Sequence, residues 1–206
     1  MIRFSAEDKA RITAAIHAAE KNTSGEFVAV VARASDHYLL LPLLWSAILA
    51  LLVPGACLLA GASVSWVHLY QIQLLVFIAL AVVLLTVPGL HLRFIPRHVK
   101  HAHASRLAQA QFYARGVQLT EHHSGVLFFV SLAERYVEIV ADLGIHEKLG
   151  EAHWKDIIDK FVAQVGRGKV VDGFVDAIAA CGAAMAAHYP PDPSDTNQLS
   201  DGLIEI

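Results

Sequence analysis

The sequence predicts an α/β protein: a small mixed β-sheet flanked by helices and interrupted by a two-helix transmembrane hairpin. Three observations predict it. Two apolar runs, Leu39–Gly61 and Ile72–Leu90, contain no Asp, Glu, Lys or Arg. Three short runs rich in β-branched and aromatic residues read as strands: EFVAVVAR from Glu26, VLFFV from Val126 and YVEIVA from Tyr136. Elsewhere apolar residues recur at helical spacing in four stretches.

In chain order, Ser5 is placed to cap a first helix, with Glu7 and Asp8 at the positive end of its dipole. Ile12, Ile16 and Ala19 form its apolar stripe, and it should stop near Asn22. Ser24-Gly25 turns the chain into the first strand, whose continuous apolar run predicts burial on both faces.

Each apolar run is long enough to cross a hydrocarbon core of about 30 Å at a rise of about 1.5 Å per residue. A charged residue at the centre of such a helix would cost about 3 kcal/mol, and neither run contains one. An integral membrane protein is therefore expected. Pro54-Gly55 should kink the first span, while Trp45, Trp66 and Tyr70 suit the interfaces. Arg33 precedes the first run, and Arg93, Arg97, Lys100 and Arg106 follow the second. No Lys or Arg lies between the runs. The positive-inside rule then places both flanks, and so both termini, on the cytoplasmic side.

After the spans, Pro96–Val117 reads as a helix with Val99, Leu107, Ala110, Ala114 and Val117 on one side. Ser124-Gly125 repeats the earlier turn before the second strand, and Leu132–Arg135 turns it into the third as an antiparallel hairpin. Asp142–Ile145 reads as a loop. A strong amphipathic helix starts at Trp154 and stops at Gly166-Arg167-Gly168. Val170–His188 forms the last helix, burying Phe174, Val175, Ile178, Cys181 and Met185. The expected division is 1–36 and 95–189 for the two parts of one soluble domain. Residues 38–61 and 71–91 are the spans, 62–70 a short outer loop and 190–206 a flexible tail, disordered from Asp192 until its last apolar residues. One helix and one strand cannot form a core alone, so the domain must continue after the hairpin.

The 206 residues carry a net charge of −3, which argues against nucleic-acid partners, and the mean hydropathy of +0.48 points to the membrane. Cys57 and Cys181 lie in different parts of the chain and form no disulfide framework, as suits a reducing compartment. The first 35 residues show no signal-peptide pattern.

The pairing of Thr23-Ser24-Gly25-Glu26 with Ser124-Gly125-Val126-Leu127, together with SLAERYVEIVADLGI from Ser131 to Ile145, resembles the TPM domain family. The resemblance covers roughly residues 3–35 and 96–188, and is strongest to a bacterial branch in which two spans interrupt the domain. It implies a TPM-like fold. It also implies two kinds of activity, since the family includes chloroplast lumenal proteins linked to photosystem repair and acid phosphatase activity, and an animal accessory subunit of an acetylcholine receptor.

The candidate sites are few. Asp142 ends a strand before Gly144, where a carboxylate can meet a metal or phosphate ester. With Glu147 and Glu138 it could hold a hard divalent cation, Ca or Mg, the one cofactor left open. The local alternative is that Asp142 caps the following turn. Arg135, Glu138 and Gly144 are candidate contacts for a ligand or partner, although Glu134-Arg135 by default forms a solvated turn pair. His91, His98, His101 and His103 extend the basic flank and add charge on acidification. His98 and His101 could share a transition metal, but two ligands do not close a site. His122-His123 sits in a loop, and neighbouring residues rarely converge on one ion. Neither cysteine is placed as a nucleophile.

The leading expectation is a cytoplasm-facing, membrane-anchored interaction or accessory module. Its partners would be the lipid bilayer and a membrane protein or a second copy. The alternative is a metal-assisted phosphomonoesterase, and a third, weaker reading is a lipid- or pH-responsive element.

Overall fold

A computed structural model describes residues 4–36, 38–87, 89–120, 123–191, 199–200 and 202–206, with the side chains of 91, 147 and 151 outside that description. The elements are α1 (Ala6–Glu20), β1 (Glu26–Ala32), α2 (Leu40–Leu51), α3 (Val53–Leu59), α4 (Trp66–Thr86), α5 (Leu90–Arg93) and α6 (Arg97–Ala114). They continue with β2 (Gly125–Ser131), β3 (Tyr136–Ala141), α7 (Leu143–Gly166), α8 (Val170–Ala186) and β4 (Ile204–Glu205). The chain divides into two compact units, Met1–Ser35 with His101–Ile206, and Asp36–Lys100.

The first unit is a mixed four-stranded sheet in the order β3-β2-β1-β4. β1 and β2 run parallel, from Glu26 opposite Gly125 to Ala32 opposite Ser131. β3 returns antiparallel to β2, with Ser131 opposite Tyr136. Both central strands are buried on each face, as their unbroken apolar runs require. Phe27, Ala29, Val31, Val126, Phe128 and Val130 face one core, closed by α1, α7 and α8. Val28, Val30, Ala32, Leu127 and Phe129 face a second, smaller core closed by α6 and Val117.

The local chemistry explains the helices. The Ser5 hydroxyl accepts the Asp8 N–H at 3.1 Å, and the Asp8 carboxylate accepts the Ser5 N–H at 2.9 Å. This reciprocal cap is worth about 1 kcal/mol. Ile12, Ile16 and Ala19 are the buried stripe of α1, as their spacing predicts. The α6 face differs from expectation: Ala104, Ala108 and Phe112 are buried, while Ala110 and Ala114 are exposed. Alanines at a four-residue interval present no bulk along that face, and the single aromatic at its end fills the remaining space.

Three further corrections concern boundaries. Residues 142–145 are not a loop, because α7 begins at Leu143 and runs through a break at Gly150 (φ 69°, ψ 163°). The polar stretch between His146 and His153 hid this start. The tail 190–206 is not flexible throughout. Ile204 and Glu205 pair with Val30 and Val31, Arg33 N–H donates to Ile206 O at 2.9 Å, and Ile206 N–H donates to Val31 O at 2.9 Å. The edge of β1 would otherwise leave these backbone groups without partners. The tail residues 192–198 lie outside the described residues.

The second unit contains two helices long and apolar enough to cross a membrane, Leu40–Leu59 and Trp66–Thr86. The first is divided at Leu52, two residues before Pro54, whose ring cannot donate to the helix ladder. The second begins at Trp66, capped by Ser65, rather than at 71, so the connection between the helices is shorter than 62–70. Many of their large apolar side chains are exposed, Leu59 at 91% and Trp66 at 86%, whereas Ala50, Ala81 and Leu84 are buried.

Candidate functional site

The two ends of the parallel pair β1–β2 carry most of the residues singled out by sequence. Because β3 is antiparallel, its last residue lies beside the amino ends of β1 and β2. Asp142 therefore sits at that end, where Asp142 N–H donates to Gly125 O at 3.0 Å.

At the amino end the twin Ser-Gly turns lie side by side. Glu26 N–H donates to Ser124 O at 3.2 Å, and the Ser124 hydroxyl donates to Ser24 O at 3.2 Å. The Thr23 hydroxyl donates to Tyr189 O at 2.7 Å and accepts the Gly25 N–H at 3.1 Å. Asp142 is buried, and its Oδ1 accepts the Leu143 N–H at 2.7 Å. Its carbonyl accepts from Ile145 and His146 N–H at 3.0 Å, so the local alternative, a cap, describes its geometry. Its Oδ2 lies 3.1 Å from His123 Nδ1. Gly144 is a packing residue, since a Cβ there would meet the Tyr189 hydroxyl at 2.8 Å and His123 O at 2.9 Å. The Glu147 side chain lies outside the described residues, as does His122. Among the described residues no group of three His, Cys, Asp or Glu side chains could hold a metal ion.

Glu138 is not brought together with Asp142 and shares no hydrogen-bond partner with it. It points under α6, where its carboxylate accepts from the Ser105 hydroxyl at 3.2 Å and the Tyr136 hydroxyl at 3.1 Å. Burial raises its pKa above the usual carboxylate range despite both donors. Burial and the adjacent Glu138 push the Tyr136 phenol up to about 12. The His101 ring packs on Tyr136 at 5.1 Å between centroids. His98 is exposed on the same helix and His103 half-buried. Of the basic flank, Arg93, Arg97 and Arg106 are exposed, and Lys100 donates to Leu92 O at 3.2 Å. Cys181 is wholly buried, which pushes its thiol pKa up and removes it as a nucleophile.

The carboxyl end was missed by sequence reasoning. Glu134 is not a solvated turn residue but a buried carboxylate. It accepts the Ser35 N–H at 3.0 Å and the Ser131 hydroxyl, and the Ser35 hydroxyl donates to Ser131 Oγ at 2.9 Å. It thereby ties the ends of β1 and β2 to the hairpin turn. The next residue, Arg135, adopts φ 52°, in the left-handed region, and its side chain is exposed. Beside it a cleft of about 480 Å³ opens between the β2–β3 hairpin and the carboxyl half of α7. Val130, Leu132, Val137, Phe161, Val162 and Val165 form its apolar wall. No motif marks it, because its residues come from β2, β3, α7, the start of α8 and the hairpin turn, and most are ordinary core types.

Fold and site together define a mixed α/β domain, locked at one end of its parallel strands and open at the other. The family model of the TPM domain matches residues 80–184, and the chain belongs to that family. The match ends before β4 and starts after β1, yet β1 is one of the two central strands of the sheet. A comparison with curated proteins finds no match. The fold is similar to the NMR structure of the BA42 protein from the psychrophilic bacterium Bizionia argentinensis, with a TM-score of 0.63 and 19% identity. The alignment covers 100% of this chain and 97% of that one.

Proposed function

We propose that the chain is a membrane-anchored TPM domain acting as a cytoplasm-facing interaction or accessory module. One observation carries this reading. The crossover between the paired strands β1 and β2 contains both helices of membrane-spanning length, and most of their leucines, together with Trp66, are exposed. A bilayer would cover that apolar surface, which otherwise has no physical reason to be bare. Arg93, Arg97, Lys100 and Arg106 would then lie on the cytoplasmic side, beside anionic lipid. A domain tied to the bilayer at two points of its chain, after Ser35 and before His101, is suited to hold a membrane protein or a second copy. Crosslinking in intact membranes, followed by purification in mild detergent, should recover one specific partner or a dimer. Recovery in the soluble fraction after alkaline extraction would sink the anchoring, and a clean monomer would sink the module.

The second reading, a metal-assisted phosphomonoesterase, draws on the His123–Asp142 pair beside Ser124. Asp142 Oδ2 would exchange His123 for Ca²⁺ or Mg²⁺, which would activate water. Hydrolysis of a generic phosphomonoester, stimulated by these cations and lost in Asp142→Asn, is the required outcome. Cation-independent or absent hydrolysis by folded protein removes it.

A further inference from the structure

We infer that the cleft at the carboxyl end of the parallel pair is a binding site for an aliphatic carboxylate, a fatty acid of medium chain length. Three independent features lead there. In α/β sheets the crevice beyond the carboxyl ends of the strands is the usual ligand position, and Ser131, the last residue of β2, lines this cleft. A volume of about 480 Å³ is of small-ligand size, and the wall is almost wholly aliphatic and aromatic. At its rim stands a single cation, Arg135. Among the described residues Arg135 has no ion-pair partner.

The other polar side chains in the lining are already engaged. The Ser131 hydroxyl donates to Glu134, and the Tyr136 hydroxyl donates to Glu138. A neutral polar ligand would find no free group deep in the cleft, and an apolar one would leave the guanidinium without a role. A hydrocarbon chain with one anionic head satisfies both, because a guanidinium binds a carboxylate through two parallel N–H donors. Gly166 keeps the helix side of the cleft low, since a Cβ there meets nothing within 4 Å. The inference stands on the cleft alone and holds whether or not the apolar helices enter a bilayer.

The test uses the full chain in lipid nanodiscs with decanoate carrying a photoreactive diazirine, mapped by mass spectrometry. Labelling should fall between Phe161 and Val170. Unlabelled decanoate should suppress it, and decanol should not. Arg135→Asn should lower it about tenfold, the loss of one charge-assisted pair. Asn accepts a left-handed φ readily, so this variant removes the charge without straining the turn. Gly166→Leu fills the cleft with Arg135 intact and should also abolish labelling. The inference is overturned if decanol competes equally, if either variant labels normally, or if label appears only within Leu40–Thr86. Displacement by an acidic amphipathic peptide but not by decanoate would overturn it in favour of a polypeptide occupant.

Discussion

The two ends of the β1–β2 pair are built from opposite materials. The amino end is packed around glycines with no space for a side chain: a Cβ at Gly125 would run into the Val117 carbonyl, and one at Gly144 into Tyr189 and His123. The carboxyl end is built from valines and a phenylalanine, and leaves about 480 Å³ open. Residues conspicuous in the sequence, the Ser-Gly turns and Asp142, thus mark where the domain is held shut. The inconspicuous ones mark where it can receive something.

That contrast makes ordered predictions. Gly125→Ala should be the most damaging, costing about 3 kcal/mol, because its obstacle is backbone and cannot swing aside. A large fall in the urea midpoint would show it, and a shift of a few tenths of a molar would mean the turn can relax. Asp142→Ala should cost about 1–2 kcal/mol through loss of the α7 cap, while Asp142→Asn should retain most of the stability. Equal destabilisation by both would mean the charge facing His123 matters more than the cap. Glu138→Gln should act in the other direction. The native pKa of Glu138 is raised, so its contribution is present below the ordinary value of 4.5 and is lost as pH rises through the native value. The variant should therefore be slightly more stable than the parent at neutral pH, by less than about 1 kcal/mol, and should flatten the decline above pH 4.5. Val162→Ala, at the open end, should change thermal stability by no more than about 0.5 kcal/mol.

Much of the fold was legible because its signals are local. The capping box at Ser5 and Asp8, the stripe Ile12-Ile16-Ala19 and the strand Tyr136–Ala141 each follow from residues within a few positions. The need for β1 to find a neighbour beyond the apolar runs followed from core size alone. The start of α7 was hidden by the polar stretch after its first turn and by Gly150, and β4 by a two-residue length below any periodic signal. The burial of Glu134 was hidden for a different reason. Its partner Ser35 comes from the far side of the apolar helices, 99 positions away, and no local pattern records such a meeting. The site was legible only as single residues. Asp142 was assigned to the right strand end, but the direction of β3 placed it away from the cleft.

The parallel pairing of β1 with β2 also has a history in time. Ser24 and Ser124, the residues that open the two strands, are 100 positions apart. A strand buried on both faces is thus synthesised long before the neighbour that will cover its edge. During that interval FVAVVA is an uncovered β-prone segment with no charge inside it. Contacts closing so large a loop form late and slowly. Until β2 emerges, that edge of β1 stays open to pairing with another chain.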